Sequence, residues 1–186
     1  ERVIGSGTVL DTGRLKQLLG EELRVDSRNI HAFIIGEHGD SELAVWSEAN
    51  VSGLALEDFC RIRGQALSRV DMDRLYRQVR DSAYEVIRRK GVTCYGIAMG
   101  VGRIAASIIR DEHAVLPISV VLDGQYGLDG LALSIPSIVG RDGLEDILEI
   151  PLSGKEESAL RNSARQMHEV ISTLKLSREP AYSKIF

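Results

Sequence analysis

One histidine lies in a short polar loop whose composition suits proton transfer. The run Gly36-Glu37-His38-Gly39-Asp40 follows an apolar segment, and its glycines can adopt backbone conformations closed to other residues and leave room near the ring. Because the unperturbed pKa of histidine is about 6.5, an accessible imidazole fixed in such a loop can accept and return a proton near neutral pH. A structural interpretation is also open, in which His38 is hydrogen-bonded to a carboxylate and serves stability alone.

An aspartate and an arginine upstream could act with that histidine. Asp11 and Arg14 are three residues apart at the start of a predicted helix, so their side chains share one face. An aspartate can hold an imidazole in one tautomer and stabilise its charged form. An arginine can bind a carboxylate through two parallel hydrogen bonds. The same pattern also fits a helix cap with a surface ion pair, which contributes roughly 0.2–0.5 kcal/mol.

The elements that must position these residues are predicted from apolar spacing and turn residues. Asp11 and Thr12 are both good cap types for a helix that follows them, and Ser153 with Glu156 forms a capping box before the last helix. The other predicted elements are strands over 30–35 and 43–46, helices over 56–67, 72–90 and 94–110, and strands over 115–122, 131–139 and 144–150. Helices and antiparallel strands are segregated along the chain, which indicates the α+β class. One domain over 1–176 and a loose tail over 177–186 are expected.

Composition argues against several classes of function. Of the 186 residues, 44% are hydrophobic and 27% charged, and the net charge of −4 has no basic cluster to attract nucleic acid or an anionic membrane. No apolar run approaches the ~18–20 residues of a membrane span, and the first residues lack the basic and apolar layout of a signal peptide. Cys60 and Cys94 lie far apart, as free thiols of a reducing, cytoplasmic compartment would. Glu37, His38 and Asp40 lack a second His or Cys at ligand spacing, so no metal is expected.

Taken together, the motifs resemble the L-2-hydroxyacid dehydrogenases, and the form Gly-Glu-His-Gly-Asp resembles the L-lactate branch of bacterial type. The resemblance runs from the first residues to about Thr173. It includes Gly5-Ser6-Gly7, Leu10-Asp11 with Arg14, Gly36 to Ser41, Val45-Trp46-Ser47, Lys90-Gly91-Val92-Thr93, Arg103-Ile104 and Leu122 to Gly127. It implies the fold of the carboxyl-terminal domain of the lactate/malate dehydrogenase family, in which antiparallel strands pack with long helices.

The resemblance also implies a reaction and assigns roles by position. The reaction would be NAD-dependent exchange between L-lactate and pyruvate, as in fermentation that follows glycolysis. His38 stands at the position of the acid/base histidine and Asp11 at that of its orienting aspartate. Arg14 stands where the family binds the substrate carboxylate. Thr93 corresponds to a residue beside substrate and nicotinamide, and Ser6 to one near the nicotinamide amide.

The resemblance leaves the cofactor-binding part of such an enzyme unaccounted for. The NAD-binding Rossmann domain and the mobile lid that selects substrates are expected upstream of Glu1, because the chain starts without Met inside a strand-like run. The glycine-rich string that starts Gly100-Val101-Gly102 follows no strand and lies in a predicted helix, so we expect close helix packing there and no dinucleotide binding. The chain is therefore expected to hold the proton-transfer half of the site and to be inactive alone.

An allosteric site is a further implication of the resemblance. Bacterial relatives bind fructose 1,6-bisphosphate across a subunit interface with a histidine and an arginine, and they act as homo-oligomers, commonly tetramers. His31 stands at the histidine position, and Lys16 stands where arginine is usual. Lysine holds phosphate as a point charge and cannot form a bidentate fork, so weak activation or none is expected. Both residues could equally be ordinary surface residues.

Two other functions stay open. A malate dehydrogenase or another L-2-hydroxyacid dehydrogenase would carry the same motifs; Thr93 favours lactate, but the selecting lid residue is expected upstream. The alternative of another class is a non-catalytic binding or oligomerisation module, which would hold if no cofactor domain precedes these residues.

Overall fold

A computed structural model describes residues 3–174, and the tail predicted over 177–186 lies outside the described residues. The helices and strands are α1 (Val9–Leu23), β1 (Ile30–Ile35), β2 (Leu43–Val51), β3 (Leu54–Ala55), α2 (Leu56–Ile62), α3 (Arg69–Arg80), α4 (Ser82–Lys90), α5 (Tyr95–Arg110), β4 (Ala114–Asp123), β5 (Asp129–Gly140), β6 (Gly143–Ile147) and α6 (Gly154–Thr173). The predicted α+β class is confirmed. Over the described range, every helix is too short or too polar to cross a membrane.

Two three-stranded antiparallel sheets form the framework. One has the order β1-β2-β3 and the other β4-β5-β6. Their backbones are joined where Gly36 after β1 and Ser134 of β5 exchange two backbone hydrogen bonds of 2.9 and 2.8 Å, and apolar side chains of β1 and β2 also pack in the core of the second sheet. Since Gly36 opens the His38 loop, this bridge fixes the start of that loop against the second sheet.

Each sheet contributes to its own apolar core. The β4-β5-β6 sheet packs against α6, where Leu160 is fully buried, and against Ile104 of α5. The other core joins β1 and β2 to α1, α2 and α3. Leu15, Leu19 and Leu23 form the apolar face of α1 and are all buried there, and Leu18 on the same face is partly buried. Burial of this face fixes the rotation of α1, and with it the direction in which its first turn projects.

The start of α1 differs from the prediction. The helix begins at Val9, so Asp11 and Thr12 lie inside its first turns and do not cap it. The Thr8 hydroxyl donates to the Ile34 carbonyl oxygen at 2.5 Å, and the Ile34 N–H donates to the Thr12 hydroxyl at 2.8 Å. The cap-type side chains therefore join α1 to the end of β1, a partner that local spacing does not reveal.

The helix predicted over 72–90 is two helices. α3 ends at Arg80 and α4 starts at Ser82, with Asp81 between them at ψ −5°, far from the α-helical value near −42°. α3 buries Leu75 and Val79, whereas α4 buries none of its own residues. The apolar core therefore holds α3 and not α4. Gly91 ends α4 with φ 81°, the left-handed conformation that makes glycine a common residue after a helix end.

Close packing between α5 and α1 accounts for part of the glycine-rich string. A Cβ on Gly100 would lie 3.8 Å from Leu10 Cβ, and a Cβ on Gly96 would lie 3.2 Å from Leu10 Cδ2. The expected helix packing is thus confirmed at Gly100. It is wrong at Gly102, where an added Cβ would meet open space.

The capping box of α6 is confirmed and also joins that helix to β2. Glu156 Oε1 accepts from the Trp46 and Ser47 N–H groups at 2.8 and 3.0 Å. Its Oε2 accepts from the Ser47 hydroxyl and from the N–H and hydroxyl of Ser153. Burial opposes ionisation, but the hydrogen bonds from Ser47 and Ser153 outweigh it and hold the pKa of Glu156 below its usual value.

We expect Glu156→Gln to lower the free energy of unfolding by about 2 kcal/mol, because an amide NH2 would face donors in either orientation. Urea denaturation at pH 7 measures this. Since the folded-state pKa is lowered, the difference should be full above pH 4.5 and should shrink as pH falls through the folded-state pKa. The control Glu157→Gln removes an exposed ion pair with Arg161 and should change stability by less than about 0.5 kcal/mol. Equal effects of the two variants would contradict this account.

Candidate active site

The backbone of the His38 loop is held by contacts with β5 and with α6. Gly36 has φ +93°, a conformation that L side chains rarely adopt, and a Cβ there would lie 2.9 Å from Ser163 Oγ. The next N–H, of Glu37, donates to that same Ser163 hydroxyl of α6 at 2.8 Å. The loop is thus held between β5 and α6, and this fixes where His38 can point.

The structure brings His38, Asp11 and Arg14 together. His38 Nδ1 lies 2.7 Å from Asp11 Oδ2, and Arg14 Nη1 lies 3.1 Å from Asp11 Oδ1. The Asp11 side chain is 3% exposed, whereas that of His38 is 53% exposed. One buried carboxylate therefore contacts both cationic side chains, and the imidazole has one edge on Asp11 and the other toward solvent.

This contact sets the protonation chemistry of His38. The hydrogen bond with Asp11 raises the pKa of His38 above 6.5; burial opposes this, the charges of Asp11 and Glu42 add to it, and Arg14 opposes it. The Asp11 carboxylate 2.7 Å from Nδ1 favours a proton on that nitrogen, so the neutral ring carries its lone pair on Nε2. The arrangement can accept a proton at Nε2 and stabilise the resulting imidazolium.

A cavity of about 310 Å³ opens beside the imidazole. Its lining includes Arg14, His38 and Thr93, three of the residues singled out from the sequence. Lys90 at the end of α4 also lines it. The role of Lys90 as a second cation at this site was missed, because its approach depends on the turn between α4 and α5. Two cationic groups and an imidazole around one cavity suit a small carboxylate.

Ser6 lies next to this cavity and not on its lining. Its neighbour Gly7 lines the cavity, and the Ser6 carbonyl oxygen accepts the Val9 N–H at 3.3 Å at the start of α1. The structure thus places Ser6 at the rim, on the segment that leads into α1.

Lys16 and His31 line a second cavity, of about 560 Å³, on another part of α1 and β1. Arg103 of α5 lines it as well. Burial, and then the charge of Arg103, lower the pKa of Lys16. Two cationic side chains and a histidine therefore share one concave surface. The sequence predicted Lys16 and His31 for such a site but not Arg103.

Glu42 is a second residue of the site that sequence reasoning missed. Its side chain is 4% exposed, and among the described residues Oε1 has no hydrogen-bond partner. Oxygen atoms of Glu42 and Asp11 and a ring nitrogen of His38 lie within 4.8 Å of one another. Burial, and then the charge of Asp11, raise the pKa of Glu42 to about 8, against the lowering effects of His38, Arg14 and Arg80.

Comparison with known protein families agrees with this geometry. The family described as lactate/malate dehydrogenase, alpha/beta C-terminal domain, matches residues 8–176. The chain belongs to that family. The motifs that carried the resemblance, from Leu10 to Gly127, lie inside the matched range.

Individual relatives give the same result. The chain is 47% identical over 173 residues to an L-lactate dehydrogenase of Acetivibrio thermocellus, with 93% of this chain and 55% of the relative covered. It is 50% identical over 176 residues to one of Moorella thermoacetica, with 94% and 56% covered. The chain spans about half the length of the curated relatives it matches.

Solved structures resemble the fold closely. A lactate dehydrogenase from a Medee basin deep-sea metagenome library superimposes with a TM-score of 0.90 at 42% identity, covering 94% of this chain and 56% of that one. The minor L-lactate dehydrogenase of Enterococcus mundtii, in a ligand-bound form, gives 0.89 at 37% identity, covering 95% and 56%.

We expect Asp11→Asn to lower the pKa of His38, because it removes the largest cause of the upward shift. NMR titration of the imidazole measures this, and Asp40→Asn is the control, since the Asp40 carboxylate accepts from Tyr84 and not from His38. The pair stabilises the fold fully below pH 6.5 and loses its effect as pH rises through the folded-state pKa of His38. With half the ring exposed and screened by solvent, that contribution should stay below about 1 kcal/mol. An unchanged titration in Asp11→Asn would refute the assignment.

Proposed function

We propose that this chain is the substrate-binding, proton-transfer half of an NAD-dependent L-lactate dehydrogenase. The observation that carries the proposal is the contact of His38 with the buried carboxylate of Asp11 beside a cavity that Arg14 and Thr93 also line. A base, its orienting carboxylate and an anion clamp are the three parts that oxidation of a 2-hydroxy acid needs.

His38 carries the proton in this mechanism. In lactate oxidation Nε2 accepts the proton of the substrate hydroxyl as the carbon–oxygen bond becomes a carbonyl. Asp11 stabilises the imidazolium that forms, because its carboxylate lies 2.7 Å from Nδ1. In pyruvate reduction the imidazolium returns the proton to the carbonyl oxygen. A pKa above the usual histidine value favours the protonated form that pyruvate reduction needs.

Arg14 binds the substrate carboxylate. Nη1 contacts Asp11, so the guanidinium is held in place, and its remaining N–H groups can form parallel hydrogen bonds with the substrate. Lys90 adds positive charge to the same cavity. Orientation of the carboxylate against the imidazole reduces the motions left open to the reacting carbon.

The cavity offers hydrogen-bonding groups for the nicotinamide end of NAD only. The hydroxyls of Ser6 at the rim and Thr93 on the lining suit hydrogen bonds with the nicotinamide amide and the substrate. When bound, NAD supplies the hydride acceptor for carbon 2. The rest of the cofactor would be held by a Rossmann domain upstream of Glu1, and the chain alone would be inactive.

Substrate choice and assembly are parts of the same proposal. The resemblance of Thr93 to the lactate branch favours lactate over malate, and a malate or other L-2-hydroxyacid dehydrogenase is the alternative. Assembly with further copies of the chain is supported by large apolar side chains exposed on α4 and α5, among them Tyr84 and Met99, and a homotetramer is proposed from the family resemblance. A cytoplasmic location is supported by free thiols at Cys60 and Cys94. The remaining alternative is a binding or oligomerisation module without catalysis.

In the full-length parent, we expect His38→Asn to reduce kcat for pyruvate reduction about 10³-fold, as expected for loss of general acid catalysis. NADH oxidation measures turnover, and NADH fluorescence checks that the cofactor still binds. His168→Asn, at an exposed position on α6, is the control. Undiminished turnover in His38→Asn would rule out this role. Wild type that reduces oxaloacetate and not pyruvate would keep the family and change the substrate.

A weak phosphate-binding site for fructose 1,6-bisphosphate is a second proposed function, supported by the shared cavity of Lys16, His31 and Arg103. Burial, and then the charge of Arg103, lower the pKa of Lys16, and a bound anion would offset the repulsion between the two cations. Because lysine offers a point charge, affinity is expected to be low.

Lys16→Arg should strengthen binding of fructose 1,6-bisphosphate to the full-length parent several-fold, because it restores the bidentate fork. Calorimetric titration measures the affinity. Lys155→Arg, exposed at the start of α6, makes the same chemical change elsewhere and should have no effect. No gain with Lys16→Arg, or an equal gain with both variants, would refute this site.

A further inference from the structure

Glu42 has no task in the mechanism described above, yet it lies at its centre. Its carboxyl group is buried, and Oε1 has no hydrogen-bond partner in the described part of the chain. A buried carboxylate without a partner is strongly disfavoured, whereas a neutral carboxylic acid is tolerated far better. The position therefore suits a protonated side chain.

The competition with Asp11 decides which carboxyl group holds the proton. Asp11 contacts Arg14 and His38 through separate oxygens, so its negative charge is compensated. Glu42 has no such contact, although its carboxyl group lies within 4.8 Å of both Asp11 and His38. Two neighbouring buried carboxylates repel, and the less compensated one takes the proton.

The groups around Glu42 also favour a protonated carboxyl group there. Groups that face it come from α1, the His38 loop and α3: Asp11, Arg14, His38, Tyr76 and Arg80. Tyr76 donates its hydroxyl hydrogen to the Glu42 backbone carbonyl oxygen, which leaves the carboxyl group without that donor. Burial and the Asp11 charge outweigh the cations and raise the pKa of Glu42 to about 8.

We propose that Glu42 is a positioning residue for proton transfer at His38: its buried carboxyl group is protonated at neutral pH, so that Asp11 and not Glu42 supplies the negative charge facing the imidazole. This rests on the proposed function of His38. If both carboxyl groups were ionised, they would hold the proton on the imidazole together, and His38 could not readily accept one from a hydroxyl group. The neutral acid keeps His38 able to exchange its proton in both directions near pH 7.

Infrared difference spectra of the full-length parent test the protonation directly. Wild type minus Glu42→Gln at pH 7 should show the carbonyl band of a protonated carboxylic acid, and in wild type this band should disappear between about pH 7 and 9.5. The control Glu48→Gln, on the exposed part of β2, should retain the band. Absence of the band at pH 7 in wild type would overturn the proposal. The loss of the band with rising pH is measured in wild type alone, so this part of the test needs neither catalysis nor a variant.

The pH dependence of lactate oxidation tests the effect on His38. Ionised Glu42 should hold a proton on His38 in wild type at alkaline pH, so kcat/KM of Glu42→Gln relative to wild type should rise about tenfold between pH 7 and 9.5. Glu48→Gln should give a constant ratio. A ratio for Glu42→Gln that does not change with pH overturns the proposal. Wild type without activity on any 2-hydroxy acid, but with the infrared band, would instead refute the proposed function and leave the protonation of Glu42 standing.

Discussion

The buried carboxylate of Asp11 is the constraint on which the site depends. A charge at 3% exposure is tolerated only when its oxygens are paired, and here one oxygen contacts His38 and the other Arg14. The three side chains come from the first turns of α1 and from the loop after β1. Their meeting is possible because Thr8 and Thr12 fix the start of α1 to the end of β1. The side chains that join α1 to β1 thus lie next in sequence to those that form the candidate site.

The His38 loop and α6 connect the two sheets. The His38 loop is anchored on β5 through Gly36 and on α6 through Ser163, while α6 is itself attached to β2 through Glu156. The imidazole is therefore positioned by both cores at once. The proposed proton transfer at His38 requires the ring to be held to within a fraction of an ångström, and elements from both ends of the chain supply the contacts.

Periodicity and turn residues were sufficient for most of the framework. β1, the C-cap at Gly91 and the capping box of α6 follow from local patterns, and the structure agrees with each. The predicted start of α1 was wrong because the hydroxyl of Thr12, one of the two residues expected to cap the helix, binds a strand residue 22 positions away. The division at Asp81 was missed because no glycine or proline marks it. Within the site, local spacing brought out Asp11, Arg14 and His38. Glu42 and Lys90 belong to the site because of burial and of contacts with residues far away in sequence, which local spacing does not predict.

The division at Asp81 matters for how the cavity behaves. α3 is fastened by Leu75 and Val79, but α4 buries none of its residues, although Ala83, Val86 and Lys90 form one wall of the cavity. α4 is therefore attached to the core mainly through its junction with α3. Whatever covers the outer surface of α4 will therefore set the width of the cavity. A contact on the outer surface of this nine-residue helix would therefore change the cavity beside the imidazole without any residue of the site being altered.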